Sequence, residues 1–131
     1  VTAALAVYVN AMGFVFKIAD DHLEIWGIYK GVGMTLGTDL EQGKITLPLI
    51  RLLQTADDAH RAQILDLLCH PHRRQTEALL PWLDQSDARQ YTQQAAQAYR
   101  DQAIAALDVL DDSQAKSSLI AIAEFAIQRR F

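Results

Sequence analysis

An all-α fold of about six helices is predicted by three observations on this 131-residue sequence. Prolines number three, and five of the six glycines (Gly27, Gly31, Gly33, Gly37 and Gly43) fall in one short stretch, which leaves long segments free of helix breakers. The period-two alternation of β-branched and polar residues that marks strands is nearly absent. Ala, Leu, Gln, Glu and Arg dominate the second half, with apolar residues at three- and four-residue steps.

The first helix is expected over roughly Val1 to Tyr29. Leu5, Tyr8, Met12, Val15, Ala19, Leu23 and Trp26 recur at helical spacing and define its apolar face. A glycine-rich loop follows, about Lys30 to Gly43. A second helix covers about Leu47 to Gln54, with Pro48 in its first turn, where a missing N–H costs nothing. A third runs from about Asp58 to Leu68 and stops at His70-Pro71-His72. A fourth covers about Arg74 to Leu83, with Pro81 inside it or ending it. A fifth, about Asp87 to Leu110, places Tyr91, Ala95, Ala98, Tyr99, Ala103 and Leu107 on one stripe. A sixth, about Ser113 to Arg130, groups Ala115, Leu119, Ile122, Ala123 and Ala126, and Asp111, Asp112 or Ser113 can cap it. Trp26 and Trp82 read as packing anchors.

Half of the residues are hydrophobic and 21% are charged, the composition of a folded chain. The net charge is −4, and no basic cluster is present, which argues against nucleic acid as a partner. The single Cys69 cannot close an internal disulfide. A signal peptide would open on a basic region, and the sequence opens on Val1-Thr-Ala-Ala-Leu; cytoplasmic placement is the expectation. A membrane span needs about 20 apolar residues, and Asn10, Lys17, Asp20 and Asp21 interrupt this run, so no transmembrane segment is expected. A helix that is apolar from its first residue also suggests that something precedes it.

The strongest local feature is Asp20-Asp21-His22-Leu23-Glu24. Residues four apart on a helix share a face, so Asp20 and Glu24 point the same way with Asp21 beside them. Carboxylates so placed repel each other unless a cation lies between them, and hard oxygen donors select Mg²⁺. The other reading is a solvated acidic face. The apolar neighbours Phe14, Phe16, Ile18, Leu23, Ile25 and Trp26, and the glycine-rich loop that follows, weigh against it. A second feature is Gly37-Thr38-Asp39-Leu40-Glu41-Gln42-Gly43-Lys44. Its glycines permit close backbone approach to a ligand, and Lys44 can meet a phosphate as a point charge. Alone, it also reads as a Thr38-x-x-Glu41 capping box followed by a turn.

Together the two features resemble the trans-polyprenyl diphosphate synthases. Gly13-Phe14-Val15-Phe16-Lys17-Ile18-Ala19-Asp20-Asp21-His22-Leu23-Glu24 is similar to the family's second aspartate-rich motif. The stretch from Gly37 through Ile45-Thr46-Leu47-Pro48 is similar to its Gly-x-Asp-Leu-x-x-Gly-Lys-x-Thr-Leu-Pro signature. Tyr99 to Phe131 resembles the family's last two helices more weakly.

The resemblance implies the C-terminal portion of the isoprenoid-synthase helical bundle, with residues 1–131 as the C-terminal part of one domain. It implies addition of isopentenyl diphosphate to an allylic diphosphate, head to tail, with Mg²⁺ clamping the leaving pyrophosphate between two acidic motifs. Asp20 would be the main metal ligand, with Asp21 and Glu24 supporting it through water. Lys44 would neutralise the diphosphate, with Lys17 as a second contact. Arg129 and Arg130 resemble a basic tail that closes over substrate.

The family's first aspartate-rich motif lies upstream of Val1. The chain alone is therefore expected to be inactive and to be a fragment, and its uncovered apolar faces are expected to drive homodimerisation or other self-association. Three departures stand out. Glu24 replaces the motif's last aspartate, Lys17 a glutamine, and Met34 a lysine. Lys17, one turn before the acids, could compete with a metal, and the family also includes non-catalytic partners of heteromeric synthases. A degenerate subunit and an unrelated helical interaction module are thus the competing readings. Cys69, His70 and His72 invite a zinc reading, but no second cluster completes it. The Tyr91/Tyr99 stripe reads as core.

Overall fold

A computed structural model of the chain describes residues 1–26, 45–69 and 75–131, the side chains of 75–77, 129 and 130 excepted. The described residues form six α-helices: α1 (Thr2–Trp26), α2 (Leu47–Thr55), α3 (Asp58–Cys69), α4 (Gln75–Gln85), α5 (Ala88–Ala106) and α6 (Gln114–Arg130). A 3₁₀ turn, Leu107–Val109, follows α5. The all-α expectation holds, and no strand occurs among the described residues. The expected glycine-rich loop, from Lys30 to Gly43, lies outside them. The chain divides into two compact units, one of Val1–Asp20 with Gln93–Phe131 and one of Asp21–Thr92.

In the Asp21–Thr92 unit the core is drawn from every described helix. Ile25 and Trp26 from α1, Leu49 and Leu52 from α2, Ile64 from α3, Leu79 and Leu83 from α4, and Ala88 from α5 are buried together. Each fully buried Leu or Ile contributes about 1.5–3 kcal/mol relative to exposure. Thr46 precedes α2 in extended conformation, and Pro48 stands at its N-terminal end. The C-terminal carbonyls of α2, which lack helical partners, are met by Arg61: Nε donates to Leu53 O at 2.9 Å and Nη2 to Ala56 O at 2.8 Å. Asp57 accepts from the His60 amide at 2.8 Å and so caps the start of α3.

The fourth helix does not end at Pro81. It continues to Gln85. A proline inside a helix removes one backbone hydrogen bond and costs ~3 kcal/mol, and here Leu79 and Leu83, both fully buried, straddle it and hold the segment in the core.

Arg51 of α2 forms a bidentate pair with Asp87, Nε to Oδ1 at 3.0 Å and Nη2 to Oδ2 at 2.8 Å. Its guanidinium also lies 4.5 Å from the Tyr91 ring centroid. Hydrogen bonding from Arg51 holds the Asp87 carboxyl below its ordinary value. A carboxyl depressed in the folded state stabilises the fold above its unfolded pKa, about 3.9, and loses that contribution as pH falls through the folded value. The thermal midpoint of the wild type should therefore exceed that of Asp87→Asn by a constant margin above about pH 5, and the margin should close below about pH 4. Paired melts from pH 2 to 8 measure this, and a margin that persists at low pH would count against it.

In the other unit, α1 supplies Tyr8, Ala11, Met12, Val15, Ile18 and Ala19 as buried residues, and α5 with the following turn supplies Ala96, Ala103 and Leu107. The expected face of α1 is borne out from Tyr8 onward, while Leu5 is exposed. The Tyr8 hydroxyl donates to Leu119 O of α6 at 2.7 Å, and burial pushes its phenol above the ordinary value. Phe14 stacks on Tyr99 with centroids 4.8 Å apart.

Two stripes match expectation in part. On α5 the expected Ala103 is buried, as is Leu107 just after it, but earlier in the helix the buried positions are Ala88, Thr92 and Ala96, one residue on from Tyr91 and Ala95, and Ala98 is exposed. The tyrosines are half-buried because their rings reach partners sideways, Arg51 and Phe14. On α6 the buried positions are Ala123, Ala126 and Ile127, while Ala115 and Ile122 are exposed. Ser113 is the cap chosen among the three expected: its Oγ accepts from the Lys116 amide at 3.1 Å.

By length and composition alone α1 is apolar enough to cross a bilayer, despite the interruptions at Lys17, Asp20 and Asp21. Its last residues, Ile25 and Trp26, sit in a packed core, and a core helix passes the same test. The apolar exposure expected on this helix is present: Val7, Val9, Phe14 and Phe16 are all exposed.

Candidate functional site

The last two turns of α1 carry all three acids singled out by the sequence. Asp20 is exposed, whereas Asp21 and Glu24 are each 5% exposed. Burial thus groups Asp21 with Glu24, three residues apart, and leaves Asp20 as the most accessible carboxylate. Lys17, one turn earlier, is exposed and lines an open groove of about 450 Å³ with Val9, Asn10, Gly13 and Phe14. Lys44 lies outside the described residues, as does the rest of the segment from Gly37. Arg129 and Arg130 close α6, with their side chains outside the description. Cys69 is exposed at the end of α3, and His70 and His72 also lie outside the description.

The donor set fits a hard cation by its chemistry: three carboxylates within five residues of one helix, oxygen donors only. Among the described residues, no group of three His, Cys, Asp or Glu side chains converges closely enough to hold a metal ion by itself. Carboxylates on one helix suit a hard divalent cation that keeps part of its water shell better than a metal that requires full protein ligation. The sequence contains two further Asp-Asp pairs, Asp57-Asp58 and Asp111-Asp112. Neither has an acid one turn on, and their carboxylates have structural duties: Asp57 caps α3, Asp58 pairs with Arg61 at 3.1 Å, and Asp112 pairs with Lys116 at 3.4 Å.

The acid-bearing helix end is anchored by a residue that sequence reasoning took only as packing. Trp26 is fully buried, and its indole N–H donates to Asp84 Oδ1 of α4 at 3.1 Å. The Arg89 guanidinium of α5 lies 5.6 Å from the same ring, and His22 of α1 lies 5.1 Å from it, tilted. Asp84 and Arg89 had no sequence signal, because a link over 58 residues leaves no local spacing to read.

A separate cleft of about 470 Å³ opens in the Asp21–Thr92 unit, with Ile64 at its floor and His60, Trp82 and Asp87 on its walls. Of the sequence-assigned site residues that are described, Lys17, Asp20, Asp21 and Glu24, none lines it.

Comparison with known proteins bears on this helix end directly. The family profile described as polyprenyl synthetase matches residues 1–82. The octaprenyl diphosphate synthase of Escherichia coli is 31% identical over 123 residues, 93% of this chain and 38% of that protein. The short chain isoprenyl diphosphate synthase of Methanothermobacter thermautotrophicus is 28% identical over 127 residues, 97% of this chain and 39% of that protein. The crystal structure of geranylgeranyl pyrophosphate synthase from Corynebacterium glutamicum, complexed with calcium and isoprenyl diphosphate, superposes with a TM-score of 0.82 at 33% identity. That match covers 97% of this chain and 40% of that one. The chain thus spans about two fifths of the length of these relatives.

Proposed function

Because the chain belongs to the polyprenyl synthetase family, we propose that it carries the metal and diphosphate face of a Mg²⁺-dependent prenyltransferase. That enzyme would condense isopentenyl diphosphate with an allylic diphosphate, head to tail. The observation that carries this reading is the occurrence of Asp20, Asp21 and Glu24 within five residues of a largely apolar helix, inside the segment the family profile matches. The calcium and isoprenyl diphosphate held by the Corynebacterium relative support a divalent cation and a prenyl diphosphate as ligands.

Asp20, the exposed carboxylate, would hold the cation, with Asp21 and Glu24 orienting its waters. When bound, Mg²⁺ supplies charge neutralisation to the diphosphate as negative charge develops on it. Lys44 and Lys17 would add fixed positive charge to the same group, and Arg129 and Arg130 would close over the substrate. A single acidic helix end provides one side of such a clamp, so the 131 residues alone would not turn over. The exposed apolar side chains of α1 would be covered in the working protein by another helical surface, of a second copy or of further chain. A non-catalytic or degenerate subunit of a heteromeric prenyl synthase is the second reading, favoured by Lys17 and Met34 where the family has glutamine and lysine.

A chimaera tests both. This chain replaces the matching region of the Escherichia coli octaprenyl synthase, and labelled isopentenyl diphosphate is supplied with an allylic diphosphate and Mg²⁺. Prenyl transfer by the chimaera, with none by the 131 residues alone, is the expected result. A chimaera that folds, binds Mg²⁺–pyrophosphate and makes no product would establish the degenerate subunit instead.

A further inference from the structure

We propose that Asp84 is a positioning residue, which acts through Trp26 to set the acid-bearing end of α1. The role rests on the metal and diphosphate reading of that helix, whereas the clasp itself does not. Trp26 lies on α1, two residues after Glu24 and five after Asp21. Its ring is fully buried, so the indole N–H has no access to water and needs a protein acceptor. Asp84 Oδ1 is that acceptor, at 3.1 Å. Asp84 lies on α4, whose neighbours Leu83 and Leu79 are fully buried in the same core. The acceptor is therefore mounted on a fixed element.

The ring is held on its other surfaces as well. Arg89 stands 5.6 Å from its centroid, a cation–π distance. His22, which sits between Asp21 and Leu23, lies 5.1 Å away. A rotation of residues 21–26 of α1 would pull the indole from Asp84 and His22 from the indole. The same rotation would re-aim Asp21 and Glu24, because all four belong to one helical segment of six residues. Asp84 thus controls the direction of carboxylates it need not touch, as supporting shells do for metal ligands.

Amide hydrogen exchange on the 131-residue chain, without metal, tests the clasp. Asp84→Ala leaves the buried N–H without its acceptor, and exchange at residues 22–26 should accelerate about tenfold, the factor carried by one hydrogen bond of about 1.4 kcal/mol. Asp84→Asn keeps an acceptor oxygen and should stay within about twofold of wild type. The amides of Leu52 and Ile64 should keep their protection in both variants. Unchanged exchange at 22–26 in Asp84→Ala, or acceleration spread equally over α2 and α3, would overturn the proposal.

Titration with MgCl₂ and inorganic pyrophosphate, read by Trp26 fluorescence in a Trp82→Phe background, tests the positioning role. The half-saturating concentration should rise about tenfold in Asp84→Ala and return to the wild-type value in Asp84→Asn. An unshifted titration in Asp84→Ala overturns the role. A wild type that does not respond at all overturns the metal reading of α1 and with it the role, while the exchange result still decides the clasp.

Discussion

Replacing Asp20 by alanine in the chimaera should lower kcat by about 10²–10³-fold, the loss typical of removing one preorganised stabiliser of developing charge, while leaving the fold intact. Asp20 is exposed at the surface of α1, and substitutions at such positions change stability by about 0.5 kcal/mol or less. The two effects therefore separate. Asp20→Asn should lose nearly as much activity, since it keeps the shape but not the charge that hard cations need. Steady-state rates at saturating substrate, with Mg²⁺ raised stepwise, measure the effect. A solvated acidic face predicts a different outcome: unchanged turnover in both variants. Asp21 and Glu24 are poorer first choices because they are buried, and a loss of activity there would mix chemistry with folding.

Local chemistry was the part of this fold legible in the sequence. Pro48 marks the start of α2, Ser113 caps α6, and the spacing from Tyr8 to Trp26 gives the buried face of α1, because each signal lies within one helical turn of the feature it sets. Pro81 was ambiguous, since the force that carries the helix past it comes from Leu79 and Leu83 packing on other helices. The first half of the α5 stripe was misplaced by about one residue for a related reason. Tyr91 and Tyr99 are large and apolar enough to claim the core in a periodicity count, yet in the first half of the helix the face is taken by the small Ala88, Thr92 and Ala96, while the expected Ala103 and Leu107 are buried. The acids of the candidate site were legible as an acidic run on a helix. Their unequal burial was not, and neither was the clasp from Asp84, because both arise from tertiary neighbours. The Arg51–Asp87 pair, 36 residues apart, belongs to the same class.

Truncation of Trp26 to alanine should destabilise the Asp21–Thr92 unit by about 3–5 kcal/mol, the range for removing a buried aromatic ring. Three losses act together. The ring is fully buried among Leu49, Leu52, Ile64, Leu79 and Leu83, so a cavity is left in the middle of the core. Asp84 loses the N–H that it accepts, and as an exposed carboxylate it can turn to water at little cost. Arg89 and His22 lose the ring between them. Domains of this size are stable by only about 5–15 kcal/mol, so the variant should unfold at a much lower urea concentration. Trp26→Phe should cost less, since it keeps most of the volume and loses chiefly the hydrogen bond. Trp82→Ala is the control. Trp82 is only partly buried against the same core, and its truncation should cost clearly less than that of Trp26, although both remove an indole. Equilibrium urea unfolding followed by far-ultraviolet circular dichroism gives all three midpoints. Equal costs at Trp26 and Trp82 would mean that the core does not depend on the end of α1, and the anchoring of its carboxylates by that core would have to be abandoned.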